Sequence, residues 1–203
     1  MDFSTLFEQF GQKKKFKRFE KIYEMGEDPK GIFCVREGLV GLVITTQSGS
    51  EQLLRLFKPG NFFGHRSILA GEKHHASAVA LEETHVVFVD AQKLKEELFQ
   101  SVEMSQRVIQ TLAVELGRAE MLRMTVTESE VMNRVAEALI YLKELKPDHN
   151  WTRTEIANFC ASTTPTVIRV LAELEERQLI QQLGRKIEIL DKKGLLSLSQ
   201  SEL

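Results

Sequence analysis

The apolar positions from residue 151 to residue 190 follow a helical period twice and then alternate. Thr152 and Glu155 stand at the spacing of a capping box, so the pattern predicts a helix that begins there. A small polar turn over residues 161–164 follows, and Pro165 falls in the first turn of a second helix, where its missing N–H costs nothing. Each helix has one apolar face, made of Ile156, Ala157 and Cys160 in the first and of Val167, Leu171 and Leu174 in the second.

After Gln178 the period changes to two, which predicts a hairpin with strands at 179–183 and 187–189 and a turn at Gly184-Arg185-Lys186. Helix, turn, helix and hairpin in this order indicate a winged helix-turn-helix, whose second helix enters the major groove of DNA. The residues expected at the DNA surface are Ser162, Thr163, Thr164, Thr166, Arg169, Arg185 and Lys186. The alternative is a helical hairpin packed on a protein partner, with the threonine-rich turn serving only as a cap.

From Ile22 to Val89 the chain is rich in strand-forming residues and is punctuated by glycine. The predicted strands are 31–36, 39–45, 52–57, 76–81 and 85–89, separated by turn signals such as Lys58-Pro59-Gly60-Asn61. Several short strands at this spacing favour an antiparallel sandwich or barrel-like roll, and the lack of an intervening crossover helix argues against a parallel sheet.

The pattern becomes helical after residue 90. Residues 90–100 predict a short helix and 102–125 a long one, whose apolar rhythm is that of a coiled-coil seam: Ile109, Leu112, Leu116 and Ala119. Such a helix indicates self-association, and the alternative is a helix lying on its own β domain. Thr127 and Glu130 form a second capping-box spacing, which predicts a further helix running to Leu145.

We therefore predict an α+β protein with an N-terminal antiparallel, jelly-roll-like β-roll over residues 1–100. A dimerisation helix over 101–126 and a C-terminal winged helix-turn-helix over 127–203 follow. A parallel dimer would present two recognition helices to two half-sites one DNA turn apart.

Composition narrows the function. The net charge of −2 over 203 residues means that a DNA site must be a local basic patch. Cys34 and Cys160 stand alone, in no metal-ligand spacing, which favours a reducing cytoplasm. We expect no signal peptide and no membrane span. The basic run over residues 13–21 could touch phosphates or form a solvated face with two phenylalanine anchors. No nucleophile–base spacing or phosphate loop indicates an enzyme.

The order of β-roll, long helix and winged helix-turn-helix resembles the CRP/FNR family of bacterial transcription regulators over nearly the whole chain. The matching stretches are 24–27 with 36–40 for the first strands, LFKPGNFFG at 56–64, WTRTEIA at 151–157 and GRKIEI at 184–189. The resemblance implies a homodimer on double-stranded promoter DNA, with RNA polymerase as a further partner and no membrane. It also implies that Arg153 and Lys186 contact the DNA backbone.

The effector residues of the family are altered. Where cyclic-nucleotide-binding members have a ribose-binding glutamate, this chain has His65, and His74 and His75 replace the phosphate-binding arginine and its neighbour. Imidazole does not replace a guanidinium fork, and Ala119 and Glu120 replace the hydroxyl pair that meets adenine, so we do not expect cAMP recognition. The N-terminal cysteines of the iron–sulfur branch are missing, whereas haem stays open because one histidine can suffice.

Two interpretations of this region stay open. It could be a pocket for another ligand, lined by Gly64, His65, Arg66, His74, His75 and Glu120. It could also be a degenerate pocket with exposed loop histidines. A metal site is not expected, because adjacent residues of a strand point to opposite faces.

The recognition helix is altered as well. The family pattern Arg-Glu-Thr-Val-x-Arg is matched here by TPTVIR over residues 164–169, so only Arg169 remains as a strong reader of guanine. Two functions are therefore compared: a DNA-binding regulator, and a ligand-sensing or protein-interaction module with a degenerate DNA-binding helix.

Overall fold

A computed structural model describes residues 2–46, 49–128 and 130–199. The chain divides into two compact units, Met1–Arg118 and Ala119–Leu203. Within the described residues, no helix combines the length and the apolar character needed to cross a membrane.

The first unit contains two antiparallel four-stranded sheets, with strand orders β1-β8-β3-β6 and β2-β7-β4-β5. Its elements are α1 (Phe3–Phe10), β1 (Gln12–Phe16), β2 (Lys21–Tyr23), β3 (Gly31–Glu37), β4 (Val40–Thr45), β5 (Glu51–Phe57), β6 (Phe62–Phe63), α2 (His65–Ala70), β7 (Ser77–Ala80), β8 (Thr84–Asp90), α3 (Ala91–Gln100) and α4 (Val102–Glu128). The last of these runs into the second unit. The antiparallel roll expected from the strand spacing is confirmed.

Two apolar clusters hold this unit together. One is rich in aromatic residues and draws on β2, β3, β5, β6 and β8, with Phe33 and Phe63 stacked 5.2 Å apart. The other joins α1, α3 and the start of α4 to the β3–β8 sheet, with Leu6, Leu94 and Met104 fully buried. Strand β3 contributes to both clusters, which explains why five consecutive residues of it are buried.

Several elements of the roll were not predicted. Strand β1 overlaps the basic run over 13–21 and pairs with β8 at the edge of its sheet, where lysines protect the open edge of a strand from aggregation. Phe16 is half-buried, but Phe19 is exposed at φ 66° and is no anchor. Helices α1 and α2 and strands β2 and β6 were also missed.

The long helix α4 ends later than predicted, and one residue of its predicted seam faces its own roll. Leu112 is half-buried and packs against the apolar cluster of the roll, whereas Ile109 and Leu116 are exposed. The helix start expected at Thr127 is wrong, because α4 continues through that residue to Glu128. The next helix begins after Glu130, which lies at the N-cap position without a side-chain cap.

The second unit is a helical domain with one hairpin: α5 (Val131–Leu145), α6 (Arg153–Phe159), α7 (Thr164–Glu176), β9 (Ile180–Leu183), β10 (Lys186–Ile189) and α8 (Lys192–Ser199). The predicted order of helix, turn, helix and hairpin is confirmed. Lys186, expected in the turn, instead pairs with Leu183 as the first residue of β10, so the turn is Gly184-Arg185. Helix α8 was not predicted.

Candidate functional site

The recognition helix α7 begins as its sequence predicts. Thr163 is the N-cap, Pro165 lies in the first turn, and the apolar stripe of Val167, Leu171 and Leu174 is fully buried. The opposite side therefore faces solvent. It carries Pro165, Arg169 and Ile168, whose side chain is 52% exposed. Ile168 was not among the predicted DNA-surface residues, although it lies exposed beside Arg169, the predicted base reader.

The threonine hydroxyls at the start of α7 form hydrogen bonds within the helix-turn-helix. The Thr163 hydroxyl lies 2.9 Å from the Thr166 hydroxyl and accepts the N–H of Thr166 at 3.4 Å. The Thr164 hydroxyl donates to that of Thr154 at 3.5 Å. Ser162 is half-buried, and its N–H donates to the Ala157 carbonyl at 2.9 Å. These residues shape the turn, which leaves Arg169 as the basic residue on the exposed side of the first turns of α7; the exposed Glu176 follows two turns further along.

Helix α6 is fixed by a complete capping box. Glu155 accepts the N–H of Thr152 at 2.8 Å, while the Thr152 hydroxyl accepts the N–H of Glu155 at 3.1 Å. The carboxylate of Glu155 is buried and lies 3.4 Å from Nε2 of His149. Burial alone would raise the pKa of Glu155, but His149 and the Thr152 hydrogen bonds outweigh it and hold that pKa below its ordinary value of 4.5. These contacts therefore hold the N-terminus of α6, the helix that packs against α7.

The wing carries two basic residues, Arg185 and Lys186, which differ in their contacts. Arg185 is exposed in the turn between β9 and β10. Lys186 is ion-paired to Glu188 at 2.5 Å, two residues along the same strand. Arg153, the first residue of α6, directs its guanidinium at the wing turn, where it donates to main-chain carbonyls. Arg185 and Lys186 are therefore both exposed on the wing, Lys186 within an ion pair, whereas Arg153 is half-buried.

In the roll, the three histidines of the predicted pocket have three different environments. His65 begins α2 and is only 3% exposed, with its ring against Phe62 at 4.9 Å. His74 is buried as well and stacks on Tyr23 with ring centroids 3.7 Å apart, and this burial lowers the pKa of His74. His75 is exposed. The expectation of exposed loop histidines is thus wrong for two of the three, because the rings of His65 and His74 are buried against Phe62 and Tyr23.

The other pocket residues do not converge on one ligand. Arg66 lies 3.2 Å from Nδ1 of His75 and forms an ion pair with Glu72 at 3.3 Å. Gly64 takes φ 90° at the N-cap of α2, where an added Cβ would stand 3.0 Å from the Gly31 carbonyl oxygen. Glu120 is exposed on α4. Among the described residues, no three histidine, cysteine, aspartate or glutamate side chains group as metal ligands.

A buried polar cluster, which the sequence did not indicate, occupies the inner side of α4. The Glu115 carboxylate on α4 forms an ion pair with Arg55 of β5 at 2.5 Å and lies 3.6 Å from Nε2 of His65. Burial would raise the pKa of Glu115, but His65 and Arg55 outweigh it and lower that pKa. The Arg55–Glu115 ion pair thus joins the roll to the long helix beside His65.

The outer side of α4 is apolar. Val102, Ile109 and Leu116 recur at seven-residue intervals, and their side chains are 74%, 65% and 60% exposed. Apolar side chains at this spacing, exposed on a helix of 27 residues, form a surface stripe of the kind that mediates protein contacts. Ala119 is exposed too.

Comparison with known proteins agrees with both units. The cyclic nucleotide-binding domain matches residues 13–101, and the Crp-like helix-turn-helix domain matches residues 133–198. The transcriptional regulator SdrP of Thermus thermophilus is 31% identical over 180 residues, which cover 83% of this chain and 84% of that protein. The CRP-like cAMP-activated global transcriptional regulator of Mycobacterium tuberculosis is 26% identical over 189 residues, covering 89% of this chain and 84% of its own length.

A solved structure extends the similarity to three dimensions. The CRP/FNR-family transcriptional regulator TTHA1359, also of Thermus thermophilus, superposes with a TM-score of 0.76 at 27% identity, over 95% of this chain and all of that one (100%). The roll, the capping-box helix, the recognition helix and the wing therefore have counterparts in proteins named as transcription regulators. The chain belongs to the CRP/FNR family of DNA-binding transcription regulators.

Proposed function

We propose that this regulator binds palindromic promoter DNA as a homodimer and does so without a cyclic nucleotide. The observation that carries the proposal is the exposed side of α7. It offers one strong base reader, Arg169, beside the apolar Ile168, with Arg185 exposed on the wing. An arginine can contact guanine bidentately, and an apolar side chain can contact the thymine methyl group.

The first test is selection of bound fragments from sheared genomic DNA by purified protein without added ligand. We expect enrichment of a palindrome with half-sites about one helical turn apart. On the selected palindrome, Arg169→Ala should weaken binding by roughly 5- to 150-fold for each half-site, corresponding to about 1–3 kcal/mol per half-site, and relax the preference at one base pair in each. Arg177→Ala is the matched control, because Arg177 is exposed at the far end of the same helix and paired with Glu173. Unchanged binding by Arg169→Ala would refute the readout.

Homodimerisation is supported by the exposed stripe on α4. Ile109→Asp places a charge in the middle of the stripe and should convert the dimer to a monomer. Val114→Asp makes a similar change at an exposed position five residues further along, about 140° around the helix, and should leave the dimer intact. Sedimentation velocity distinguishes the two. Equal effects of both variants, or of neither, would show that the stripe is not the interface.

Independence from cAMP is supported by the polar cluster. A cyclic phosphate requires a fixed cationic group, whereas His74, at the matching position, is stacked in the interior. The Arg55–Glu115 ion pair links the roll to α4 without a ligand. We expect saturating cAMP to change the DNA dissociation constant less than about twofold, which is under roughly 0.5 kcal/mol. A tenfold gain in affinity would contradict the proposal.

A further inference from the structure

The guanidinium of Arg153 forms hydrogen bonds with the wing. Its Nη1 donates to the Arg185 carbonyl at 3.0 Å, and its Nη2 donates to the Gly184 carbonyl at 3.1 Å and to Oε1 of Gln182 at 2.7 Å. Both carbonyls belong to the turn residues between β9 and β10, and Gly184 adopts φ 62° there. A planar group with several fixed donors can hold such a turn in one conformation.

The same contacts continue into the recognition helix. Gln182 donates its backbone N–H to Oε1 of Glu175 at 2.5 Å and its side-chain amide to Oε2 at 3.0 Å. Glu175 lies on α7, Gln182 on β9 and Arg153 on α6. One chain of hydrogen bonds therefore connects the bracing helix, the wing and the recognition helix, with a charged group at each end. We call these three residues the wing clamp.

We infer that Arg153 is a positioning residue: through the wing clamp it holds the wing turn so that Arg185 reaches DNA phosphate while Arg169 lies in the groove. The inference rests on the proposed DNA-binding function. It differs from the expectation that Arg153 contacts the DNA backbone itself. The three carbonyl-type acceptors around its guanidinium are all supplied by the wing.

The structural part is tested without DNA. Hydrogen exchange of the full-length protein should show faster exchange of the wing amides over residues 180–189 in Arg153→Ala and in Gln182→Leu. Arg153→Lys should lie between wild type and Arg153→Ala, because an ammonium cannot bridge three acceptors in a plane. Arg177→Ala and Gln181→Leu are controls, since Arg177 pairs with Glu173 on its own helix and Gln181 is the exposed neighbour of Gln182. Wing exchange that is unchanged in Arg153→Ala would overturn the clamp.

The functional part uses DNA affinity and its salt dependence. If Arg153 acts through Arg185, then Arg153→Ala, Arg185→Ala and the double variant should all lose about the same affinity. In each variant, the negative slope of the logarithm of the association constant against the logarithm of the salt concentration should decrease in magnitude by about 0.9 per half-site. A direct phosphate contact by Arg153 predicts instead that the fold-losses of affinity multiply and that the slope of the double variant decreases in magnitude by about 1.8 per half-site.

Gln182→Leu separates the two roles further. A positioning role predicts that it weakens binding as Arg153→Ala does, whereas a direct contact predicts unchanged or tighter binding, because the guanidinium is released toward DNA. Losses that multiply, or unaltered affinity in Gln182→Leu, would overturn the inference. If the wild-type protein bound no DNA, the proposed function would fail together with the role of Arg185. The exchange experiment would then still decide whether the clamp holds the wing.

Discussion

The capping box of α6 should be the most sensitive polar feature of the helix-turn-helix. Thr152→Ala removes a hydroxyl that accepts the Glu155 N–H at 3.1 Å and lies 3.0 Å from the Glu155 carboxylate. Loss of an N-cap threonine costs about 1 kcal/mol, and losing a hydrogen bond to a partly buried carboxylate adds roughly another 1 kcal/mol. We therefore expect Thr152→Ala to lower the free energy of unfolding by about 1–2 kcal/mol.

Glu155→Ala should cost more, because the carboxylate is only 7% exposed and its loss leaves the Thr152 N–H without its partner. A buried donor left unsatisfied costs about 1–3 kcal/mol in addition to the lost packing, so roughly 2–4 kcal/mol is expected. Thr154→Ala is the matched control, since Thr154 is an exposed threonine in the same helix. It should stay within about 0.5 kcal/mol of wild type.

Urea denaturation followed by the fluorescence of Trp151 is a suitable assay. Trp151 is the single tryptophan of the chain, and it is buried next to the capping box. The expected order of stability is wild type and Thr154→Ala, then Thr152→Ala, then Glu155→Ala. Equal costs for the two threonine variants would refute the reasoning, because the capping geometry would then contribute nothing beyond an ordinary threonine.

The same box determines a response to acid. The pKa of Glu155 is depressed in the folded chain, so its contribution to stability is present above the ordinary value of 4.5 and is lost as pH falls below it toward the folded pKa. In Glu155→Gln, stability should therefore depend less steeply on pH below 4.5 than in wild type, as measured by urea midpoints across that range. An unchanged steepness would mean that other carboxyl groups carry the acid response.

Three further predictions concern the core, a turn and the thiols. Leu174→Ala should cost about 2–5 kcal/mol in urea, because this fully buried side chain leaves a cavity under α7. Gly38→Ala should lower the free energy of unfolding more than Gly26→Ala, and equal losses would show that the clash of the added Cβ contributes nothing. Both glycines have positive φ, but a Cβ at Gly38 would meet the Glu83 carbonyl at 2.5 Å while one at Gly26 meets nothing within 4 Å. Folded protein should react slowly with a thiol reagent, since burial raises the pKa of Cys160 to about 12, and unfolding should release the reactivity.

Periodicity was a reliable guide where an element makes its own local signal. The structure agrees to within a few residues with the five predicted strands of the roll and with helices α3, α6 and α7. Alternation, caps and apolar stripes each depend on neighbouring residues of the sequence, so a short window of sequence contains them. The capping box at Thr152 begins α6, whereas the same spacing at Thr127 does not begin a helix. The preceding helix continues through Thr127, so no helix N-terminus lies there.

Elements that depend on distant partners were missed. Strand β1 is lysine-rich because it lies at a sheet edge, and nothing in its own sequence marks it as a strand. Helix α1 is eight residues long and too short to be stable alone; it forms because Leu6 and Phe7 pack into the core of the roll. Neither cause can be read from a local window.

Site residues were harder to predict than elements, because their roles depend on which groups lie beside them. The sequence singles out His74 and Arg153 by position, yet the first stacks on Tyr23 and the second bonds to the wing. Glu115 was not marked at all, because its partner Arg55 lies sixty residues earlier in the chain. A contact between residues so far apart leaves no trace in spacing.

These polar side chains have one feature in common: each contacts other residues of the chain. His74 and Arg153 lie at positions where the family resemblance implies contact with a ligand or with DNA, and here each contacts other residues of the chain. Among the described residues, the side chains proposed for DNA contact are Arg169 and Ile168 on α7 and Arg185 on the wing. Because each good base contact contributes about 1–3 kcal/mol, so short a set cannot supply high specificity from direct readout alone. We therefore expect the rest of the discrimination to come from the symmetry and spacing of two half-sites, and hence from the proposed homodimer.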